Sequence, residues 1–456
     1  MQTILDRLFK ISPVPSMVRI ALENILAPEF VDGIFRSTAA SQTERKLLFS
    51  TIVELMLLVV CRIKPSVNKS YSHLKAFIPV SLKSVYNKIN NVESQVSRQL
   101  VCHTAARVKE VIDELGAYDD SPIAGYEVRI LDGNHHPASE HRLGVLRDVA
   151  AGALPGLSLV VYDPVRKIVV DCLPCEDGHK QERALIPELL NDIEADTVWI
   201  ADRNFCTCAF MFELALHKAF FVVRRHANSC IKIIGPSVDR GRTETGKLSE
   251  QAVEVIDVNG EKLNCRLITL HLDKPTRDGD QQLQFLSNLP STVSASTIAE
   301  SYRSRWKIEN VNLELVKQFD SEQTSLGMPP ATLFAFSVSL VAYNMIQLVH
   351  ASLRAAHGTE ATKDKISNYY LAHALQSGWE NTHMIEDEFW IVQYSTLTPK
   401  QLASELKRIA KTIDLSHYRK NVRGPKKPPT PRTRFKGTPH VSTYQLLNES
   451  TNSIDA

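Results

Sequence analysis

IAESYRSRWKIENVNLELVKQF, residues 298–319, is the stretch around which the rest of the chain is organised. Tyr302, Arg305 and Glu309 stand at positions i, i+3 and i+7, so a helix places their side chains on one face. A carboxylate beside an arginine and a tyrosine suits a helix that faces phosphate groups through a metal ion. Taken alone, the same pattern also fits a surface helix with a solvated ion pair, because such pairs are common and weak.

Length and composition place the chain among soluble globular proteins of several domains. It has 456 residues, of which 43% are hydrophobic and 23% charged, with a net charge of +2. Its eight cysteines have no framework spacing, which favours free thiols in a reducing cytoplasm. The N-terminus lacks a signal-peptide pattern, and the apolar stretches 47–61 and 333–349 fall short of the roughly 20 residues of a spanning helix. We therefore predict buried core helices, a cytoplasmic location in a bacterium, at the nucleoid when DNA is bound, and no membrane partner.

Changes of pattern divide the chain into four predicted segments. The tail is rich in lysine, arginine and proline, which suits contact with a phosphate backbone but also fits a solubilising extension. In the first segment, a short helix after Ser81 carries Lys83 and Lys88, and it fits either a DNA groove or an ordinary solvated surface. The predicted segments are a helical DNA-binding domain over 1–120, an α/β domain over 121–350 with a β-rich insertion over 226–292, a helical region over 351–417, and a basic, irregular tail over 418–456.

The α/β segment begins with three β-rich runs and then alternates helices with strands. Such an order predicts a mixed sheet covered by helices. In the insertion, Asn259-Gly260 between two β-rich runs predicts a hairpin. The predicted strands are 126–132, 157–163, 167–173, 197–202 and 219–225, and the predicted helices are 179–193 and 206–217.

Three acids stand out by their positions in these elements. Asp132 and Asp202 each end a predicted strand, and Glu309 projects from the helix quoted first. If the two strands are neighbours and the helix packs on them, the three carboxylates converge at one edge of the sheet. Such oxygen ligands bind hard cations, and two Mg²⁺ or Mn²⁺ ions about 4 Å apart would suit an in-line phosphoryl displacement. No serine or cysteine nucleophile elbow, Walker loop or dinucleotide fingerprint competes with this set.

Three motifs resemble the signatures of DDE transposases of the bacterial insertion-sequence-four type. They are LDG at 131–133, ADRNF at 201–205 and YRSRWKIE at 302–309, in that order. The resemblance implies an RNase H-like catalytic core over about 120–350, with a β-rich insertion before the helix that carries the glutamate. It also implies that Asp132, Asp202 and Glu309 are the catalytic, metal-binding triad.

The resemblance extends to the DNA contacts of the family's tyrosine-arginine-glutamate-lysine signature. It implies that Tyr302 and Arg305 hold DNA phosphates, since an arginine fork can pair with two phosphate oxygens. The final lysine departs from the pattern, because Val316 stands at the expected position and Lys317 follows one residue later. One residue is a rotation of about 100° around a helix. Lys317 is nevertheless the candidate for that role.

The activity implied by the resemblance is metal-dependent cleavage and strand transfer at the inverted repeats of an insertion sequence. In this family the reaction is cut-and-paste transposition, in some members through a hairpin intermediate, by a dimer on double-stranded DNA. Two alternatives stay open. One is a DNA-binding derivative that has lost catalysis, and the other is an RNase H-like nuclease that cuts without joining.

Several other sets of residues are candidates for a functional role. Cys172, Cys175 and His179, with Cys206 and Cys208, have part of the spacing of a zinc site. The histidines His135, His136 and His141 suit a polar loop near DNA, with a metal or general-base role as the alternative. Glu314 rivals Glu309 as third acid, but it lies about 140° further round the helix. Trp306 is expected to pack in the core, with stacking on a base as the alternative.

Overall fold

The structure is a computed structural model that describes residues 2–42, 44–190, 193–229, 231–276, 279–421 and 440–452. Its first part is helical, as predicted. Ser81 caps the short sixth helix by accepting a hydrogen bond from the Ser84 N–H. The helices are α1 Gln2–Ile11, α2 Pro13–Ile25, α3 Pro28–Thr38, α4 Phe49–Val60, α5 Val67–His73, α6 Leu82–Ile89 and α7 Ser94–Leu115.

A mixed α/β region follows, and its strands agree closely with the predicted ones. The strands are β1 Glu127–His135, β2 Gly152–Leu154, β3 Leu157–Asp163, β4 Ile168–Cys175, β5 Thr197–Ala201 and β6 Phe220–Arg224, with helices α8 Ile186–Leu190 and α9 Cys208–Leu216. Strands β4, β3 and β1 are antiparallel neighbours, and β1, β5 and β6 are parallel neighbours. This order puts the carboxyl ends of β1 and β5 side by side.

The predicted insertion continues the central sheet. Its strands are β7 Ile231–Ile233, β8 Val238–Thr243, β9 Gly246–Ile256, β10 Lys262–Leu272 and β11 Gln282–Ser287. Strand β11 pairs with β6, so the sheet runs β4-β3-β1-β5-β6-β11-β10-β9-β7, with β8 on β9. The predicted hairpin joins β9 to β10 through Gly260, whose φ of +82° is costly for any other residue. The result is a ten-stranded mixed sheet flanked by helices, as the sequence predicted for this region.

Helices complete the molecule. They are α10 Ala295–Arg303, α11 Trp306–Gln318, α12 Pro329–His357, α13 Thr359–Thr362, α14 Asn368–Gly378, α15 Asp387–Tyr394 and α16 Pro399–Ala410. Helix α12 is long and apolar enough to cross a membrane, but the apolar stretch is buried throughout within the structure. It packs against α7, α4 and α16 as one of the buried core helices that the sequence predicted.

The two faces of the sheet belong to different hydrophobic clusters. Val128 and Ile130 of β1 face a cluster that extends from α1 to Ile413 and contains α12. Leu131 faces the second cluster, together with Phe205 and side chains of α8 and α9. Because side chains alternate along a strand, Asp132 shares the face of Ile130, and position 133 shares the face of Leu131.

The end of the chain differs from the predicted irregular tail. Residues His440–Ser442 form β12, which pairs in parallel with β2, and Thr443–Asn452 form α17. The side chains of Ser442 and Gln445 both donate hydrogen bonds to Asp177, at 2.6 and 2.9 Å. The tail prediction is therefore wrong for 440–452, while 422–439 and 453–456 lie outside the described residues.

Candidate metal-binding and DNA-processing site

Asp132 lies at the end of the parallel pairing of β1, although not at the end of the strand. The predicted strand ended at Asp132, whereas β1 continues to His135 because Asp132–His135 still pair with β3. The pairing of β1 with β5 stops at Ile130 opposite Ile200. Beyond that point the β5 side of β1 is open, and Asp132 stands at this opening.

Asp202 stands at the matching position of β5. It follows Ala201, the last residue of the strand, and begins the 3-10 turn Arg203–Phe205. Its carboxylate accepts the Asn204 N–H at 2.8 Å, which fixes the side chain at the start of the turn. Since Ile130 is opposite Ile200, Asp132 and Asp202 lie the same two residues further along neighbouring parallel strands.

Glu309 lies in the first turn of α11, which packs against β1. The single helix predicted over 298–319 is wrong, because it is divided into α10 and α11 at Ser304 and Arg305. Both residues keep helical torsions, but the N–H groups of Arg305 and Ile308 bond three residues back, to Tyr302 and Arg305. The helix tightens here without a change of direction large enough to separate Arg305 from Glu309.

Arg305 links the acids of the helix and of the sheet. Its Nη2 donates to Oε1 of Glu309 at 2.7 Å, and its Nη1 lies 3.8 Å from Oδ1 of Asp132. The arginine side chain is 13% exposed, that of Asp132 18% and that of Glu309 38%. The guanidinium therefore lies in a partly enclosed space with a carboxylate on each side.

The charges around Asp132 act on its protonation. Burial raises the pKa of Asp132 to about 7, against the lowering effect of Arg305. The negative charges of Asp202, Glu182 and Glu309 also raise it, in decreasing order of effect. The other two acids of the predicted triad, Asp202 and Glu309, are thus close enough to raise the pKa of Asp132.

Glu182 belongs to the same group of acids and was missed in the sequence. It begins the 3-10 turn Glu182–Leu185, which precedes α8, and its side chain is 16% exposed. Burial raises its pKa, His135 lowers it and Asp202 raises it again. In the sequence this segment looks like an ordinary helix with an acid in its first turn. The one signal is Gly133, directly after Asp132, because a glycine leaves room beside β1 for the side chain of another residue.

The predicted DNA-contacting residues have different surroundings. Tyr302 is buried, its ring 4.7 Å from that of Phe285, and burial raises its pKa. Lys317 is exposed, two turns from Glu309 along α11. Trp306 was expected in the core, but it is 60% exposed and its ring lies 5.8 Å from the Arg305 guanidinium carbon. The packing prediction is therefore wrong for Trp306.

The rival residue sets lie elsewhere in the structure. Cys172 and Cys175 are on β4 but face opposite hydrophobic clusters, so they do not form half of a zinc site. His136 is a buried core residue: its Nε2 hydrogen-bonds with Ser158 Oγ, and burial lowers its pKa to about 3. His141 is half-buried in the loop after β1. Glu314 accepts a hydrogen bond from Asn368 at 2.8 Å, on a different side of α11 from Glu309.

The donors at the sheet edge have the chemistry of a divalent cation site. Carboxylate oxygens are the ligands that Mg²⁺ and Mn²⁺ prefer, and the acids outnumber the one arginine among them. The guanidinium already puts a positive charge between Asp132 and Glu309, with its Nε buried and without a hydrogen-bond partner. Among the described residues, however, no three His, Cys, Asp or Glu side chains stand close enough to hold a metal ion as they are. Cation binding therefore needs a shift of these side chains.

Comparison with known proteins agrees with this geometry. Residues 124–345 match the family model described as "Transposase DDE domain", and that range includes Asp132, Asp202 and Glu309. No curated protein matches the chain. The acids at the edge of the mixed sheet and the family match therefore agree: residues 124–345 are similar to the DDE domain of transposases, a family whose reaction is phosphoryl transfer on DNA.

Proposed function

We propose that this protein is a transposase of the bacterial insertion-sequence-four type, which cleaves the ends of its element and joins them to target DNA. The observation that carries the proposal is the neighbourhood of Asp132, Asp202, Glu309 and Arg305 at the open end of two parallel strands. The motifs LDG, ADRNF and YRSRWKIE at these positions favour this type within the DDE transposases. The reaction would be cut-and-paste, with a hairpin on the element end as a further expectation.

Asp132, Asp202 and Glu309 would hold the Mg²⁺ or Mn²⁺ ions, two of which suit this reaction. When bound, the ions would activate the attacking water or hydroxyl and stabilise the negative charge on the oxygens of the reacting phosphate. Arg305 would neutralise a phosphate next to the cleaved bond, since its fork already lies beside two of the acids. Tyr302 would hold that arginine in position from its buried place beside Phe285. Positioning and charge stabilisation would supply most of the rate enhancement.

The partners would be double-stranded DNA and a second copy of the protein. Lys317 is exposed on the same helix as Glu309 and would contact the backbone further from the cleaved bond. Binding of the tail to DNA would show in the salt dependence of affinity, because each phosphate contact releases counterions. Deletion of 418–456 should weaken binding and flatten that dependence, although it also removes the docked elements β12 and α17.

The test is a cleavage and strand-transfer assay with DNA from both sides of the coding region, in Mg²⁺ or Mn²⁺. We expect Asp132→Asn, Asp202→Asn and Glu309→Gln each to abolish cleavage while DNA binding persists, because each removes a carboxylate that the chemistry requires. Glu314→Gln is the matched control, since Glu314 is an acid of the same helix that contacts Asn368 instead. It should retain activity.

The products of this assay separate the proposal from its two alternatives. Cleavage without joined products would indicate an RNase H-like nuclease. Binding of the element ends without any cleavage by the unaltered protein would indicate a DNA-binding derivative. Activity in all three acid variants would show that the triad is assigned to the wrong residues.

A further inference from the structure

A long stretch of the helical first part of the chain contains no acidic residue. Between Glu54 and Glu93 the sequence has six lysines and arginines and neither aspartate nor glutamate. This stretch covers α5, α6 and the α5–α6 turn, residues 74–81. Arg62 and Lys64 pair with acids of other elements. The positive charge of the stretch still exceeds the net charge of +2 of the whole chain, so it is concentrated here.

Three lysines of this stretch are exposed and have no acidic partner. They are Lys69 on α5, Lys75 in the turn and Lys83 on α6, and within the described part of the chain none of the three forms an ion pair. Lys75 donates a hydrogen bond to the Tyr71 hydroxyl and lies over its ring, 4.8 Å from the centroid. This contact positions Lys75 without neutralising its charge. Ammonium groups of this kind attract phosphates.

Helix α6 exposes less of this charge than its sequence suggests. Lys88 folds back over the Phe35 ring, with its Nζ 3.9 Å from the centroid and without a hydrogen-bond partner. The exposed lysine of α6 is Lys83, in the first turn of the helix. The α5–α6 turn and the beginning of α6, rather than the whole length of the helix, therefore present the positive charge.

Phe77 projects from the same turn. It is 72% exposed, whereas its neighbours Leu74 and Ile78 are buried in the core. The Phe77 N–H donates to the Leu74 carbonyl at 2.9 Å, and the Tyr71 hydroxyl donates to the Val80 carbonyl at 2.8 Å. These bonds fasten the turn to α5, and the two buried neighbours hold the phenyl ring outward.

The basic stretch begins beside the helix that carries Glu309. Arg62 donates to the Val316 carbonyl of α11 at 3.1 Å. Val316 precedes Lys317, which is exposed near the end of the same helix. A duplex that runs along α11 away from the acids would therefore reach the basic stretch.

We propose that the α5–α6 turn binds double-stranded DNA, with Phe77 as an apolar wedge between base pairs and with Lys69, Lys75 and Lys83 on the phosphates. The inference rests on the proposed function, because the duplex is the DNA of the same reaction. Charge identifies the occupant, since lysines in a stretch without acids suit a polyanion such as a phosphate backbone. Proteins that insert a phenylalanine between base steps kink the duplex, so bending of the DNA is the distinguishing property.

The phosphate contacts are tested by duplex binding in EDTA, which needs neither metal nor turnover. Full-length protein is titrated into a labelled duplex from the DNA that flanks the coding region, at several salt concentrations. Lys69→Gln and Lys83→Gln should each weaken binding and reduce the slope of log affinity against log salt by about 0.9, since each removes one phosphate contact. Lys400→Gln is the matched control: Lys400 is exposed in the first turn of α16 and has no ion pair among the described residues. It should keep the wild-type slope.

The wedge is tested by the shape of the bound DNA. Dyes at the two ends of the duplex report bending through resonance energy transfer. Phe77→Ala should lower affinity about fivefold or more and straighten the bound duplex with the salt slope unchanged, because it removes a wedge and no charge. Phe77→Leu should keep the bend, since leucine also serves as a wedge. Leu216→Ala changes a similarly exposed residue at the end of α9 and should alter neither quantity.

Thermal unfolding of every variant checks that it remains folded, as expected for changes of exposed side chains. Unchanged affinity and bend in Phe77→Ala would overturn the wedge, and an unchanged salt slope in both lysine variants would overturn the phosphate contacts. Failure of the proposed function alone looks different: the wild type would bind and bend the duplex but would not cleave it when metal is added. A wild type that binds no duplex would overturn both.

Discussion

The carboxyl group of Asp132 combines burial with one cationic neighbour and three anionic ones. Burial and the anions outweigh Arg305, so its pKa rises to about 7. In the unfolded chain an aspartate titrates near 3.9. The folded protein therefore binds this proton more tightly than the unfolded chain does, and the resulting stability is complete only below about pH 4. It is lost as the pH rises through about 7.

This shift predicts a pH-dependent effect of Asp132→Asn in EDTA, where no divalent cation offsets the charge. Asparagine cannot ionise, so the variant does not lose this stability as the pH rises. The free energy of unfolding of the variant, relative to that of the wild type, should therefore increase from pH 5 to pH 8. We expect a gain of about 1–3 kcal/mol, since each pKa unit corresponds to about 1.4 kcal/mol. Urea denaturation at each pH measures it, with the exposed Asp148→Asn as control. Parallel profiles for the wild type and Asp132→Asn would contradict the assigned pKa.

Trp306 is the residue-scale candidate for contact with a base. It is exposed at the start of α11, beside Arg305 and two residues before Ile308 of the core. We expect Trp306→Ala to weaken binding of element-end DNA with unpaired terminal bases by about 1–3 kcal/mol, the usual range for stacking of a base on an aromatic ring.

Fluorescence anisotropy of labelled DNA measures this loss. Leu313→Ala is the control, because Leu313 is another exposed apolar residue of α11. An equal loss in both variants would show that the helix surface, and not the indole ring, makes the contact.

At the scale of elements, the sequence predicted the strands and the hairpin that depend on residues close together in the chain. The strands around Asp132 and Asp202 follow from their apolar runs, and the hairpin of β9 and β10 follows from Asn259-Gly260. The break between α10 and α11 left no trace in the sequence, because Ser304 and Arg305 keep helical torsions and only their hydrogen bonds change. Glu182 was missed for another reason: its closeness to Asp132 depends on long-range packing across Gly133.

Asn344 shows how one polar residue joins two elements. It interrupts the apolar run of α12, and its side chain pairs with both backbone groups of Val169 in the edge strand β4. Its Oδ1 accepts the Val169 N–H at 2.9 Å, and its Nδ2 donates to the Val169 carbonyl at 2.8 Å. The strand edge is thus covered and its backbone satisfied, close to a bulge in the pairing of β3 with β4.

We therefore predict that Asn344→Leu lowers the free energy of unfolding by about 2–5 kcal/mol, because it leaves a buried N–H and a buried carbonyl unpaired. Ser339→Ala is the control: Ser339 is equally buried in α12 but bonds only to the Phe336 carbonyl of its own helix. That change should cost about 1 kcal/mol or less. Denaturant titration decides, and similar losses in both variants would contradict the role given to Asn344.

At the scale of the whole molecule, the N-terminal helices share one core with α12 and α16. The hydrophobic cluster that contains α12 extends from Leu5 to Ile413, and α7 contacts α12, α16 and β4. The boundary predicted at residue 120 follows a change of sequence pattern, and described side chains from both sides of it belong to this one cluster. Composition along a chain cannot show which distant helices close on one another.

A truncated chain that begins at residue 121 tests this shared core. Without α1–α7 it would expose one side of α12 and β4, so we expect loss of the cooperative thermal transition and of near-ultraviolet circular dichroism. The full-length chain should unfold in one transition that includes the N-terminal helices. A truncated chain with its own sharp transition at the same temperature would show an independent domain.

The arginine that bridges the helix and the sheet has a consequence for linkage. While Arg305 pairs with Asp132 and Glu309, the guanidinium and a divalent cation compete for the same oxygens. An ion that takes the acids frees the guanidinium for a phosphate, so ion and nucleic acid should strengthen each other's binding. Thermodynamic reciprocity requires the two enhancements to be equal. Binding of the metal would then replace the Arg305 guanidinium as the counter-ion of these carboxylates, and the displaced guanidinium would be free to bind a DNA phosphate.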